Sequence, residues 1–295
     1  MTRLPLRLVL GLTVLGASEL RAAAEASIAA SATAGSDYVR PMDAAGAPLP
    51  ESYVFAEGRF FDGGTVDRGL EKTTFADVTR ALAPGLAKRN YFPAADMNSA
   101  QLLIMVHWGT TSIYEDPMRD IHQQALNDAV AGYNQSVDAT GKADPSALNM
   151  ALGDRETAQD GVQQAINRNA VLLGYARSLE RERKEMMPTT AEITMSNELN
   201  EERYFVVLFA YDNQARMKEH KSRVLWITRL SVRSPGNNFP EALPALAKVG
   251  SDLFGRQVDD LLRVKASVRP GKVTLGETQF LGTTEGKGAP ARPDK

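Results

Sequence analysis

Two stretches of the chain are apolar at every position: Leu102-Leu103-Ile104-Met105-Val106 and Tyr204-Phe205-Val206-Val207-Leu208-Phe209-Ala210-Tyr211. Successive side chains of a strand point to opposite faces, so these runs predict strands in a sheet covered on both sides. Val224 to Leu230 predicts a further strand. The roughly ten residues before it favour an antiparallel pair joined by a loop or a short helical turn. Ser52 to Phe61 predicts another strand through Tyr53, Val54, Phe55, Phe60 and Phe61, closed by a turn at Gly63-Gly64.

Helical periodicity separates these runs. Phe75, Val78, Leu82 and Leu86 recur at three- and four-residue steps, and Thr74-Phe75-Ala76-Asp77 has capping-box spacing, so a helix starts there. Pro84-Gly85 is expected to kink or split it. Strand, helix and strand over residues 52–106 predict a parallel pairing with a right-handed crossover. Leu243, Leu246, Val249, Leu253 and Phe254 mark another helix, with Leu261 and Leu262 continuing the pattern. Residues 116–188 lack β-branched clusters and carry two helical periods, Met118 to Tyr133 and Ala158 to Leu179, parted by Gly141 to Pro145. The charge run Arg177 to Lys184 closes the second period and reads as a solvated face, because acidic and basic residues alternate there.

The fold expected is α+β: a single mixed β-sheet of four to five strands with two packed helices and an inserted αα-hairpin at 116–188. Lys272 to Phe280 is expected to add an edge strand. Residues 1–24 read as an export signal, with Arg3 and Arg7 before an apolar Leu8 to Ala17 and a small-residue site at Ala22-Ala23-Ala24. Residues 25–50, rich in small residues, are expected to be a flexible leader, 51–281 the domain and 282–295 a disordered tail.

Composition narrows the function classes. The chain has no cysteine, which removes disulfides, thiolate metal sites and a lipid-bearing N-terminal cysteine. Removing Arg3, Arg7, Arg21 and Glu19 with the signal takes +3 and −1 from the net charge of −2 and leaves about −4. A mildly acidic protein has no basic excess for nucleic acid. After the signal, no window offers the roughly 18 consecutive apolar residues of a membrane-spanning helix.

Candidate chemistry gathers at the polar turn His107-Trp108-Gly109-Thr110-Thr111-Ser112, since ligands in open α/β sheets bind beyond the carboxyl ends of strands. His107, Thr110 and Arg229 are the candidate catalytic side chains, and Trp108 and Thr111 the candidate binding ones. The competing reading is a packed corner in which His107 caps a buried strand with its ring hydrogen-bonded, Trp108 packs against the helical insert and Gly109 relieves backbone strain. Trp226 and Arg229, three apart on one strand, face opposite sides, so Trp226 is expected in the core and Arg229 at a polar groove or paired with a carboxylate. Neither a metal nor a cofactor is expected. His107 and His122 with Glu115 and Asp116 match no zinc signature, no G-x-S-x-G elbow occurs, and the Gly282 to Gly288 run lacks phosphate-loop spacing.

Ala100-Gln101-Leu102-Leu103-Ile104, preceded by Leu82-Ala83-Pro84-Gly85-Leu86 and Tyr91-Phe92-Pro93, resembles a family of uncharacterised bacterial exported envelope domains of α+β fold. The resemblance covers residues 50–111 and, more loosely, 203–260. This chain departs from the pattern in Gln101, which stands in place of an acidic residue, in lacking a lipid-attachment cysteine, and in the long insert. The resemblance implies an envelope location and no catalytic residue. The function expected is therefore an exported, non-enzymatic module that binds a protein partner through the insert. A hydrolase-like enzyme or a small-molecule binder at the His107–Ser112 turn is the alternative.

Overall fold

The two-sided apolar strands lie side by side in the middle of the sheet. The computed structural model describes residues 24–36, 38–64, 67–113, 119–140 and 146–268. Its strands are β1 (Ala24–Ala34), β2 (Glu51–Phe61), β3 (Tyr91–Pro93), β4 (Leu102–Thr110), β5 (Arg203–Asp212), β6 (Val224–Arg233) and β7 (Leu262–Val268). They form one mixed seven-stranded sheet in the order β3-β2-β4-β5-β6-β1-β7. The general class is α+β, but the expected four to five strands are too few.

The extra strands have weak local signatures. β1 is Ala-Glu-Ala-Ser-Ile-Ala-Ala-Ser-Ala-Thr-Ala, a composition poor in β formers, and it falls in the stretch expected to be a flexible leader. Pairing on both edges holds it: Ile28 faces Val232 of β6 and Val264 of β7. Its small side chains let helices approach both faces, and Ala29, Ala30 and Ala32 are buried. β3 is three residues long, and β7 takes Leu262, which periodicity had assigned to the last helix. That helix stops earlier because Gly255, at φ +70°, turns the chain. The expected strand Lys272 to Phe280, the export signal before Ala24 and the tail 282–295 lie outside the described residues.

The crossover expected from strand, helix and strand is present. β2 and β4 are parallel, joined through α1 (Arg68–Glu71) and α2 (Phe75–Lys88). The capping box forms as predicted, with Thr74 accepting from the Asp77 N–H and Asp77 accepting from the Thr74 N–H. α2 runs through Pro84 without being split. β5 and β6 are antiparallel, joined by the short α7 (Asn213–Glu219).

Helices cover both faces. On one, α2 and α8 (Phe239–Gly250) pack Val78, Leu82, Leu86 and Leu246 over Ile104, Val206, Leu208 and Leu230. Trp226 is fully buried there between Tyr91 and Phe254, at 5.7 and 6.1 Å between ring centroids. The second face is covered from the insert region. α3 (Arg119–Thr140) and α4 (Ser146–Leu173) form the helical pair, followed by α5 (Ala176–Glu182) and α6 (Thr190–Leu199). Ala170, Leu173, Tyr175, Leu179, Met195 and Leu199 from α4 to α6 pack on Phe205 and Val207 of β5. The second half of the insert region is thus core. The periodicity from Ala158 to Leu179 spans two helices, because Gly174 at φ +83° breaks it.

The stretch from Tyr38 to Pro50 is anchored by a buried ion pair. Arg40 lies 3.3 Å from Glu51, both side chains less than a tenth exposed, with its guanidinium carbon 3.8 Å from the centre of the Tyr91 ring. Tyr38 donates to Glu51 at 2.8 Å. Removing one partner of such a pair leaves the other charge buried and uncompensated. Arg40→Met is expected to lower the unfolding free energy by about 3–5 kcal/mol, with Glu51→Leu added recovering most of the loss. Urea unfolding of the single and double variants measures this.

Candidate functional site

β4 continues through the expected turn, where Arg203 of β5 engages both threonine hydroxyls, while Trp108 Nε1 has no hydrogen-bond partner among the described residues. Trp108 is 3% exposed, with its ring 5.8 Å from both Phe60 and Phe75. Thr110 and Thr111 are 3% and 1% exposed. The Thr110 hydroxyl donates to the Arg203 carbonyl at 3.3 Å, and the Thr111 hydroxyl accepts from the Arg203 N–H at 3.0 Å. The exposed Ser112 contributes its carbonyl to the Asn169 amide at 3.0 Å. Gly109 has φ +141°, and a Cβ there would meet the Phe61 carbonyl oxygen at 1.9 Å. β2 therefore closes over the corner. Trp108, Thr110 and Thr111 are inside the fold, their hydroxyls already engaged.

His107 points to the opposite face of the sheet. Between Glu57 and Phe60 the β2–β4 register shifts, and the bulge presents the Arg59 N–H to His107 Nδ1 at 2.8 Å. With Nδ1 accepting, the neutral ring carries its proton on Nε2. A Cβ on Gly58 would lie 2.7 Å from Nδ1, so glycine is what admits the ring. The imidazole stands edge-on to Phe209 at 5.4 Å. Burial is the main cause that lowers its pKa below the ordinary histidine value.

Arg229 shares this face. In register, His107 pairs with Val207, Val207 with Arg229, and Arg229 with Ser31. At inter-strand spacings of about 4.8 Å, the backbones of His107 and Arg229 are about 10 Å apart. The Phe209 ring contacts both, with the Arg229 guanidinium carbon 5.9 Å from its centre. The two polar side chains therefore occupy one row without meeting.

Beside Arg229 is a cavity of about 260 Å³ where β1 and β6 meet the junction of α4 and α5. Ser31, Gly174, Arg177, Ser178, Arg229 and Asp259 are among its walls. The left-handed Gly174 lets the α4–α5 junction press closely on the sheet: a Cβ there would sit 2.0 Å from Ser31 Oγ and 2.9 Å from Arg229 Cδ. Ser31 is 7% exposed, and its hydroxyl and the Arg229 Nε have no hydrogen-bond partner among the described residues. Burial, and then the neighbouring Arg177 charge, lower the Arg229 pKa. At the rim Asp260 pairs with Arg181.

Of the residues singled out from sequence, only Arg229 reaches this cavity. Arg177 was assigned to a solvated charge run, and Ser31 to the leader. A cation in the otherwise apolar run Val224 to Leu230 and a glycine inside a helical period at Gly174 were the available signals. Among the described residues no three His, Cys, Asp or Glu side chains form a metal-sized group. Glu115 and Asp116 lie outside the described residues, as does the side chain of His122, while His220 caps the end of α7. Glu201, just before β5, is paired with Arg233 at 2.9 Å.

No family model matches the chain, and no curated protein matches it. A solved structure of a PDZ domain protein from Parabacteroides distasonis aligns with a TM-score of 0.36 and 10% identity. The alignment covers 84% of this chain and 40% of that one, so the chain spans less than half the length of that protein.

A histidine with a lowered folded-state pKa binds fewer protons folded than unfolded. Its stabilising contribution is complete above the unfolded value near 6.5 and is lost as pH falls through the lower folded value. His107→Gln, whose amide oxygen can still accept from Arg59, is expected to flatten the decline in urea-derived stability between about pH 7.5 and about pH 5. Equal slopes for the two proteins would show that His107 carries no protonation penalty.

Proposed function

We propose that the protein is an exported envelope or periplasmic module that binds a protein partner through the projecting pair α3 and α4. The observation that carries this reading is that α3, a helix of 22 residues, makes its principal contacts with α4 alone. Among the described residues, Leu126, Ala151 and Ala165 are buried along the pair before α4 reaches the body at Ala170 and Leu173. Asn169, further along α4, bonds to the Ser112 carbonyl at 3.0 Å and to the Leu199 carbonyl at 3.2 Å, which fixes where α4 docks on the body.

A few residues would suffice to join β4 to this docked half of α4. Ordering a helical hairpin costs about 1–2 kcal/mol of backbone entropy per residue, and this hairpin adds little to the sheet's core. A protruding element of this kind fits a recognition role. Among the described residues, the exposed apolar side chains Ile121 and Val130 on α3 and Met150 and Leu152 on α4 do not form one stripe. Ile121 and Val130 are nine positions apart, about half a turn out of phase. Recognition would rest on isolated apolar anchors within a polar surface.

Export is supported by the charged start, short apolar run and small-residue site of residues 1–24. A non-enzymatic role is supported by the occupied hydroxyls of Thr110 and Thr111.

Replacing residues 119–160 by a short Gly/Ser linker is expected to leave the sandwich folded, with its Tm changed by no more than a few degrees. In-cell crosslinking in the native host should then lose the specific adducts formed by the intact chain. Identical adducts from a folded, trimmed protein would refute the hairpin as the recognition surface.

A further inference from the structure

We propose that the cavity bounded by Ser31, Gly174 and Arg229 is a binding site for a small monocarboxylate. The site is separate from the projecting part of the hairpin and does not depend on the reading given to it.

Arg229 stands two strands in from the β7 edge with its charge partly withdrawn from water. It has no carboxylate partner among the described residues, and Phe209 offers it only the face of a ring. The Arg229 Nε is buried without an acceptor among the described residues; an unpaired buried donor costs stability, so native structures pair such groups. The Ser31 hydroxyl, directly across the β1–β6 ladder, is also buried without a partner. Two unpaired donors on neighbouring strands, at the wall of one cavity, call for an acceptor with more than one oxygen. The planar guanidinium fork matches carboxylate geometry.

The charge balance sets the class of anion. Arg229 and Arg177 contribute two positive charges, Asp259 one negative charge, and Asp260 is neutralised by Arg181. The remaining single positive charge suits a monoanion, while Asp259 at the wall opposes a dianion such as phosphate or sulfate. Val171, Ala176, Val258 and Leu261 give the cavity apolar walls for the rest of such a molecule. Gly174 packs directly on Ser31 and Arg229 as one wall of the cavity, since any side chain there would collide with both.

Calorimetry and thermal shift on the purified full chain test this, with butyrate and benzoate as probes, their neutral amides as controls, and phosphate and sulfate at matched ionic strength. Both carboxylates should bind and raise the Tm with concentration, while the amides and the dianions should not. Arg229→Gln should weaken carboxylate binding about tenfold or more, the loss of at least one charge-assisted hydrogen bond. Ser31→Ala should weaken it by about threefold to tenfold, consistent with one neutral hydrogen bond. If Arg229→Gln does not fold, Ser31→Ala and Arg177→Gln decide the matter, each with circular dichroism as the folding control. Absence of carboxylate binding would mean that the cavity holds only water. That result, tighter binding of phosphate or sulfate, or wild-type affinity in the folded variants would overturn the assignment.

Discussion

The structure depends on the central pair β4 and β5, which has no polar face to turn toward water. Val206, Leu208, Ile104 and Val106 lie on one side and Phe205 and Val207 on the other, all of them fully buried. Each such side chain is worth about 1.5–3 kcal/mol when withdrawn from water, so neither face can be left open. The protein answers with two helical layers from different parts of the chain. α2 comes between β2 and β3 and α8 between β6 and β7, whereas α4, α5 and α6 arrive together in the long segment between β4 and β5. That segment does two jobs: its second half seals the sheet, and its first half reaches outward on a single helical seam.

This division explains what could be read from the sequence and what could not. The burial of β4 and β5 follows from unbroken apolar runs, the start of α2 from Thr74 and Asp77, and the orientation of Trp226 against Arg229 from the two-residue period of a strand. Each is set by neighbours along the chain. β1 is different, because alanine and serine do not prefer strand conformation, and its place comes from two partners far away in sequence. The break at Gly174 likewise lies within an apparently continuous helical period. The glycine's left-handed conformation becomes visible only once Ser31 and Arg229 are seen beneath it.

The polar groups near the sheet centre divide the same way. Thr110 and Thr111 sit in a corner that sequence marks as polar, yet their hydroxyls bond to the backbone of Arg203, since a buried strand end must satisfy its own donors and acceptors. His107 is fixed by the bulge at Gly58 and Arg59. The unpaired Ser31 hydroxyl and Arg229 Nε lie further along the sheet, on β1 and β6 beneath the α4–α5 junction. No local motif joins them; the ladder of the sheet does. Only Arg229, out of place in an apolar strand, was recognisable beforehand.

The position of β1 between β6 and β7 has a consequence for how the molecule is assembled. Ile28 pairs with Val232 and with Val264, so one of the earliest described residues is held by two of the latest strands. Long loop closures are slow, and half-built sheets with open edges are prone to aggregate. As the chain emerges from its N-terminus, β1 must wait without partners until nearly the whole sequence has appeared. Its composition suits that interval: a run of alanine and serine, with Ile28 its one large apolar side chain, offers little to stick to while it waits.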